Sequence, residues 1–341
     1  MSNSIRSLKF LGGVTVAAST VMLVTSCGGG GGDSGGTTPP PPATGAAAVI
    51  DTAGVTKAVT DFGSAISICQ DGATGSVQSG RAVGVATSIQ RGMAALQGRL
   101  LGMTTKRALA LTGTPPADLL GSCGGRLGYR NYSHVNGTTT ATLAFENYCQ
   151  SGNKAGETQT TNGSIGFVNT ATPSASGPIT TQLDANSNGA VTTVLKNAAG
   201  ATVSADALTF TGFRMVVGVP GGTPTAASPD VMSMTEMTLR NDVTGKTYRQ
   251  TGYRVTGYED AAGNASWTLS GRGYRSDGSY FDIATPQPVV QNANGDTVSG
   301  QMSFTGANGS TAVATVVPGS TLQVKLTVNG TPLTSVPACV K

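Results

Sequence analysis

Two periods divide the chain. Between residues 46 and about 111 the apolar positions recur every three or four residues, and beyond Cys123 they recur every two. In the first part Val55, Val59, Phe62 and Ile66 form one stripe, which ends near Cys69 and Asp71-Gly72. A second stripe, Val85, Ile89, Met93, Leu96 and Leu100, leaves Arg81, Arg91 and Arg99 off its line. Such spacing predicts two amphipathic helices, the second closed by Pro115-Pro116. Gly84, Gly92, Gly98 and Gly102 each weaken the second by roughly 1 kcal/mol relative to alanine, so tertiary packing must hold it. Its apolar face suits the cover of a sheet, and its basic flank also suits a membrane surface.

The second part alternates. Ala141, Leu143 and Phe145 interleave with Thr140, Thr142 and Ala144; Val298, Met302 and Phe304 interleave with Ser299, Gln301 and Ser303; Leu322, Val324, Leu326 and Val328 interleave with Gln323, Lys325 and Thr327. One buried face per strand is implied. Asn136-Gly137, Asn162-Gly163, Asn188-Gly189, Asp277-Gly278, Asn308-Gly309, Pro318-Gly319 and Asn329-Gly330 read as turns between these strands. The first three fall 26 residues apart and hint at a repeated two-strand unit. Short connections make neighbours antiparallel. The expected fold is therefore mainly β, a large antiparallel meander forming a curved sheet, half-barrel or barrel, with an N-terminal helical segment packed on it.

Composition adds an N-terminal address. Arg6 and Lys9 precede an apolar run from Phe10 to Val24, too short for a comfortable membrane span, and small residues then lead to Cys27. Leu23-Val24-Thr25-Ser26-Cys27 resembles the lipobox of bacterial lipoproteins. The resemblance implies cleavage after Ser26, lipid on Cys27, and, because Gly28 follows instead of an aspartate, transfer to the outer membrane of a Gram-negative cell. Residues 27–45 are rich in Gly and Pro, cannot bury apolar surface, and read as a tether reaching about 25 Å. The chain thus divides into a signal peptide (1–26), a lipidated tether (27–45), a helical segment (46–120) and an antiparallel β domain (121–341).

Charge removes one class of function. Without residues 1–26, which hold Arg6, Lys9 and no acid, 19 basic residues face 17 acidic ones and no basic block remains. No nucleic-acid footprint is present. The cysteines left after Cys27 are Cys69, Cys123, Cys149 and Cys339, an even number suited to an oxidising compartment. A three-residue loop Val135-Asn136-Gly137 pairs 134 with 138 and, counted outward, 123 with 149; by elimination Cys69 joins Cys339. A metal site is disfavoured because no Cys-x-x-Cys spacing exists and His134 is the only histidine.

Candidate chemistry is sparse. Asp184, Asn186, Asn188 and Gly189 match the first half of an EF-hand loop, but Leu195 stands where the bidentate glutamate belongs, so the stretch reads as a polar turn. Gly32-Asp33-Ser34-Gly35-Gly36 matches a serine-protease string but sits in the tether, ahead of His134. Tyr253, Trp267, Tyr274 and Arg272 gather in consecutive strands and could form a ligand face, or could be cross-strand packing. No paired carboxylates or nucleophile with a base can be assembled. The expectation is a non-enzymatic envelope lipoprotein with a structural or adhesion role, needing no cofactor and held at the membrane by its lipid. A carrier of lipid or another apolar ligand, and a carbohydrate-binding surface protein, are the alternatives.

Overall fold

The structure is a computed structural model and describes residues 45–50, 115, 117–152, 155–172, 180–217, 224–243, 245, 247–274, 278–293, 297–317 and 323–332. Sixteen strands lie in one sheet: β1 (Leu119–Leu120), β2 (Arg126–Val135), β3 (Thr138–Ser151), β4 (Thr158–Thr172), β5 (Thr180–Ser187), β6 (Val191–Lys196), β7 (Thr202–Thr211), β8 (Phe213–Val217), β9 (Asp230–Asn241), β10 (Thr247–Glu259), β11 (Ala265–Tyr274), β12 (Tyr280–Gln291), β13 (Thr297–Thr305), β14 (Thr311–Val317), β15 (Gln323–Val328) and β16 (Thr331–Pro332). All pair antiparallel. The expected meander is present.

Two strand positions are each split in two. β5 and β6 both lie against β4, one after the other, and are one long strand interrupted at 188–190. Likewise β7 and β8 lie end to end against β9, broken at Gly212. Each strand position therefore neighbours its predecessor in the chain. The 14 positions along the sheet, spaced about 4.8 Å apart, would make a flat sheet about 62 Å wide.

The sheet is not flat. An unbroken outward row runs Ser133, Thr140, Val168, Asp184, Arg214, Ser233, Arg254, Ser270, Ala284, Ser303, Val313, Thr327, Pro332. It begins near the last residue of β2 and finishes next to the last residue of β15, although those two strand ends lie at opposite poles of the sheet. Such stagger accompanies curling. Bulges assist it, among them the shifts between Arg130 and Ser133 and between Thr251 and Arg254, with Asn131 at φ 50° and Gly252 at φ 59°. In β12 the irregular pairing coincides with Pro286 and Pro288, which lack the N–H a ladder needs.

Inward residues join in a single core drawn from β2 through β15, including Leu127, Leu143, Phe167, Leu183, Met215, Val255, Ile283 and Phe304. The outward face carries Ser, Thr and paired charges. That is the reverse of a membrane-spanning barrel, whose apolar side faces out.

The β2–β3 turn differs from the sequence reading in an instructive way. Val135 pairs with Thr138 and His134 with Thr139, so the loop has two residues, not three. Asn136 and Gly137 both adopt positive φ, 49° and 76°, the tight turn that matches strand twist. The extra residue sits at the Asn131 bulge, beyond which Arg126 faces Glu146. Counted onward, position 123 faces 149 after all. Asn162 and Gly163, expected as a turn, lie inside β4; Asn162 Oδ1 accepts the Asn147 N–H at 2.7 Å. The 26-residue repeat of turns is therefore not seen.

The expected helices fall largely on residues outside those described. At both ends of the stretch 46–120 the described residues are extended: Leu119 and Leu120 pair with β2, and Ala47 makes a parallel bridge to Tyr280. Among the described residues no α-helix is found, only a 3-10 turn at Ala307–Gly309.

Candidate functional site

Four arrangements could carry function, and each is built by the register of the sheet. The first is a clamp formed by residues 45–50. Ala48 N–H donates to the Tyr280 carbonyl at 2.7 Å, Ala307 N–H donates to the Ala48 carbonyl at 2.6 Å, and Asn329 Nδ2 donates to the Ile50 carbonyl at 2.9 Å. Ile50 belongs to the core. The segment thus crosses the ends of β12 to β15 at one pole, called the near pole. A Cβ on Gly45 would overlap the Gly278 carbonyl, so the approach requires glycine.

The near pole also holds the disulfide. Cys123 and Cys149 are bonded with Cα atoms 5.1 Å apart, and Cys149 N–H donates to the Gly124 carbonyl at 2.9 Å. The sequence pairing is found here. Cys27, Cys69 and Cys339 lie outside the described residues. On the outward side of the same strands Arg130 reaches Glu146 and Asp118, at 2.7 and 3.1 Å, and Arg126 reaches Glu146 at 2.5 Å. These partners hold both carboxyls below the ordinary range, Asp118 chiefly through Arg130 and Glu146 through Arg126 then Arg130.

The second arrangement is the supposed ligand face, and the sheet divides it. Tyr253 and Trp267 point inward, 3% and 7% exposed, whereas Arg272 and Tyr274 point outward. Trp267 stands at odd parity to Arg272 and Tyr274 on β11, which simple alternation requires; Tyr253 is turned inward by the Gly252 bulge. Outside, Arg272 donates two bonds to Asp282, at 2.7 and 3.0 Å, and stacks over Tyr280 at 4.0 Å. Arg249 grips Glu236 the same way, at 2.9 and 2.8 Å, and lies 5.1 Å above Tyr274. Guanidinium groups cover the ring faces a sugar would need, and carboxylates occupy the guanidiniums. Hydrogen bonding to Asp282 raises the Arg272 pKa, fixing its charge.

The third is a buried polar row. Thr161, Thr193, Asp206 and Asn241 face one another across β4, β6, β7 and β9. Thr161 and Thr193 share a hydrogen bond at 3.3 Å; Asp206 accepts from Asn241 Nδ2 at 2.6 Å and from Ser204 Oγ. Burial pushes the Asp206 carboxyl above its ordinary 3.8, against the lowering effect of both donors. A raised acid favours folding while protonated and loses that contribution as pH rises from its ordinary value through its raised one. Denaturant titrations should therefore show wild type losing stability relative to Asp206→Asn as pH climbs above about 3.8, with a constant difference at higher pH. A pH-independent difference would show that Asp206 titrates normally.

The fourth is a set of inward polar tips. The Tyr132, Tyr253 hydroxyls, Trp267 Nε1 and Asn169 Oδ1 are buried with no hydrogen-bond partner among the described residues. Sequence reasoning missed Asn169. The signal was available: after Ile165 and Phe167 the alternation places Asn169 inside and Val168, 39% exposed, outside.

The EF-hand-like stretch is not a loop. Asp184, Asn186 and Ser187 belong to β5, where Asp184 pairs with Arg214 at 2.6 Å, Asn186 accepts the Gly212 N–H at 2.7 Å and Ser187 Oγ accepts the Phe210 N–H at 2.9 Å. Only 188–190 form the expected break. Among the described residues no three metal-ligating side chains come together. In comparison with known proteins, the chain matches no family model, no curated protein and no solved structure.

Proposed function

We propose that this chain is a non-enzymatic envelope lipoprotein, anchored in the outer membrane through Cys27, with a structural or adhesion role. The clamp carries the reading. The Gly/Pro-rich stretch ends at residue 45, where residues 45–50 are fixed across the near pole by backbone and Asn329 hydrogen bonds. A lipid on Cys27 would thus join the domain at one defined pole. The opposite, far pole then faces away from the membrane, carrying the Asn136-Gly137 and Asp260–Asn264 turns and the strand ends that flank 173–179 and 218–229. The outward face, laced by ion pairs such as Arg214–Asp184 and Arg272–Asp282, serves as a durable wall.

Detergent-phase partitioning tests the anchor. Wild type should enter the detergent phase, and Cys27→Ala should stay in the aqueous phase with an unchanged β circular-dichroism spectrum, because the tether separates lipid from fold. Equal partitioning of the two would overturn the reading.

A second reading, carriage of an apolar ligand on the inner face, is favoured by one observation. Asn169 shares its inward row with Met215 and Met232, and Tyr253 faces Met234; Asn169 Oδ1 and the Tyr253 hydroxyl have no hydrogen-bond partner among the described residues, and the flexible methionine side chains adapt to varied shapes.

A further inference from the structure

We propose that the inner face of β2, β3 and β4 forms a binding site for the neutral, hydroxyl-bearing head of an otherwise apolar ligand. The inference rests on the carrier reading and locates it. His134, Thr139 and Asn169 occupy successive positions of one inward row, which continues through Leu183, Met215, Met232, Val255 and Leu269. The row is polar at its β2 end and apolar beyond.

Within the polar end, His134 Nδ1 and Thr139 Oγ1 satisfy each other at 2.8 Å. Asn169, 5% exposed, lies directly across from Thr139, yet its Oδ1 has no partner among the described residues. Tyr132, edge-on to Tyr129 at 6.2 Å, buries its hydroxyl in the same condition. Leucine and phenylalanine would fill these two positions without stranding a polar atom. The pair instead presents one acceptor and one hydroxyl to the interior.

The chemistry of the partner follows. Asn169 Oδ1 requires an O–H or N–H, and the Tyr132 hydroxyl can give a proton to an ether, ester or hydroxyl oxygen. No acidic or basic side chain apart from His134 stands in this row; Asp184 and Arg214 lie on the outer face, paired with each other. A charged head would have no counter-ion there, so the head is neutral. Phe167 and Leu183 on neighbouring positions supply apolar walls for the rest of the molecule. Half-buried His134 sits two residues from the turn at Asn136, so the polar end of the row is the end nearest the far pole.

The test uses the full chain, stripped of lipid, with 1-monooleoylglycerol as the neutral probe and oleate and hexadecane as comparators. Monooleoylglycerol should raise the melting temperature of wild type by several degrees, more than either comparator. Asn169→Leu and Tyr132→Phe should each melt at or above wild type without lipid, since a stranded polar atom is removed, and each should bind monooleoylglycerol about tenfold more weakly. Undiminished binding by both variants would overturn the site while leaving the carrier reading intact. Tighter binding of oleate would overturn the neutral head. No binding of any of the three to wild type would remove the carrier reading, and the site with it.

Discussion

Replacing Phe304 with alanine is expected to destabilise the domain by about 3–5 kcal/mol. The ring is 2% exposed and stands in register with Ile283 on β12 and Ala312 on β14. It also meets Phe281 edge-on, with ring centroids 6.1 Å apart. Two losses add: the transfer free energy of the ring, and the void it leaves. The void cannot be closed cheaply, because Ala312 is too small to reach into it and the backbone on both sides is fixed by ladder hydrogen bonds. Phe304→Leu should recover part of the loss. Denaturant unfolding monitored by circular dichroism decides the matter, and a cost below about 1 kcal/mol would mean that this part of the inner face is not close-packed.

Loss of the Cys123–Cys149 bond should cost about 2–4 kcal/mol, read as the difference between wild type and the Cys123→Ser, Cys149→Ser double variant. The bond spans a sequence separation of 26, for which chain-entropy arguments give about 3.5 kcal/mol. The β2–β3 hairpin already draws the two ends together in the folded state, so the benefit arises from restraining the unfolded chain. Peptide mapping without reductant should recover the same link. A double variant as stable as wild type would show that the unfolded chain keeps this hairpin closed unaided.

Much of the fold was legible because alternation is a strong signal when one face is buried. Ala141, Leu143 and Phe145 were placed inside by pattern alone and are inside. The limits of legibility lie at the bulges. A residue added to one strand flips every later side chain, and nothing in the letters around Gly252 announces that Tyr253 will turn inward while Arg249 stays out. The disulfide shows the converse. The turn was read one residue too long, the bulge at Asn131 restored the missing residue, and the cysteines met as expected. Asn-Gly at 162 was misread because the same dipeptide that favours a hairpin also serves a strand interior, where Asn162 satisfies the bulge at Asn147. The four residues read as a possible ligand face or as cross-strand packing lie on adjacent strands but on opposite faces, Tyr253 and Trp267 inward and Arg272 and Tyr274 outward, the bulge at Gly252 having turned Tyr253 over.

The clamp at the near pole has a consequence for the order of assembly. Counting β5 with β6 and β7 with β8 as single strand positions, every pairing in the meander joins consecutive positions, so the described sheet closes through local loops at small entropic cost. Ile50 is different: its amide donates to Ser310, 260 residues away, and its carbonyl accepts from Asn329, 279 residues away. Such a closure is unrewarded until β14 and the β15–β16 turn are in place. Loop-closure cost therefore sets the clamp as a late joint, so that residues 45–50 are secured only once the strands at the C-terminal end of the sheet are in place.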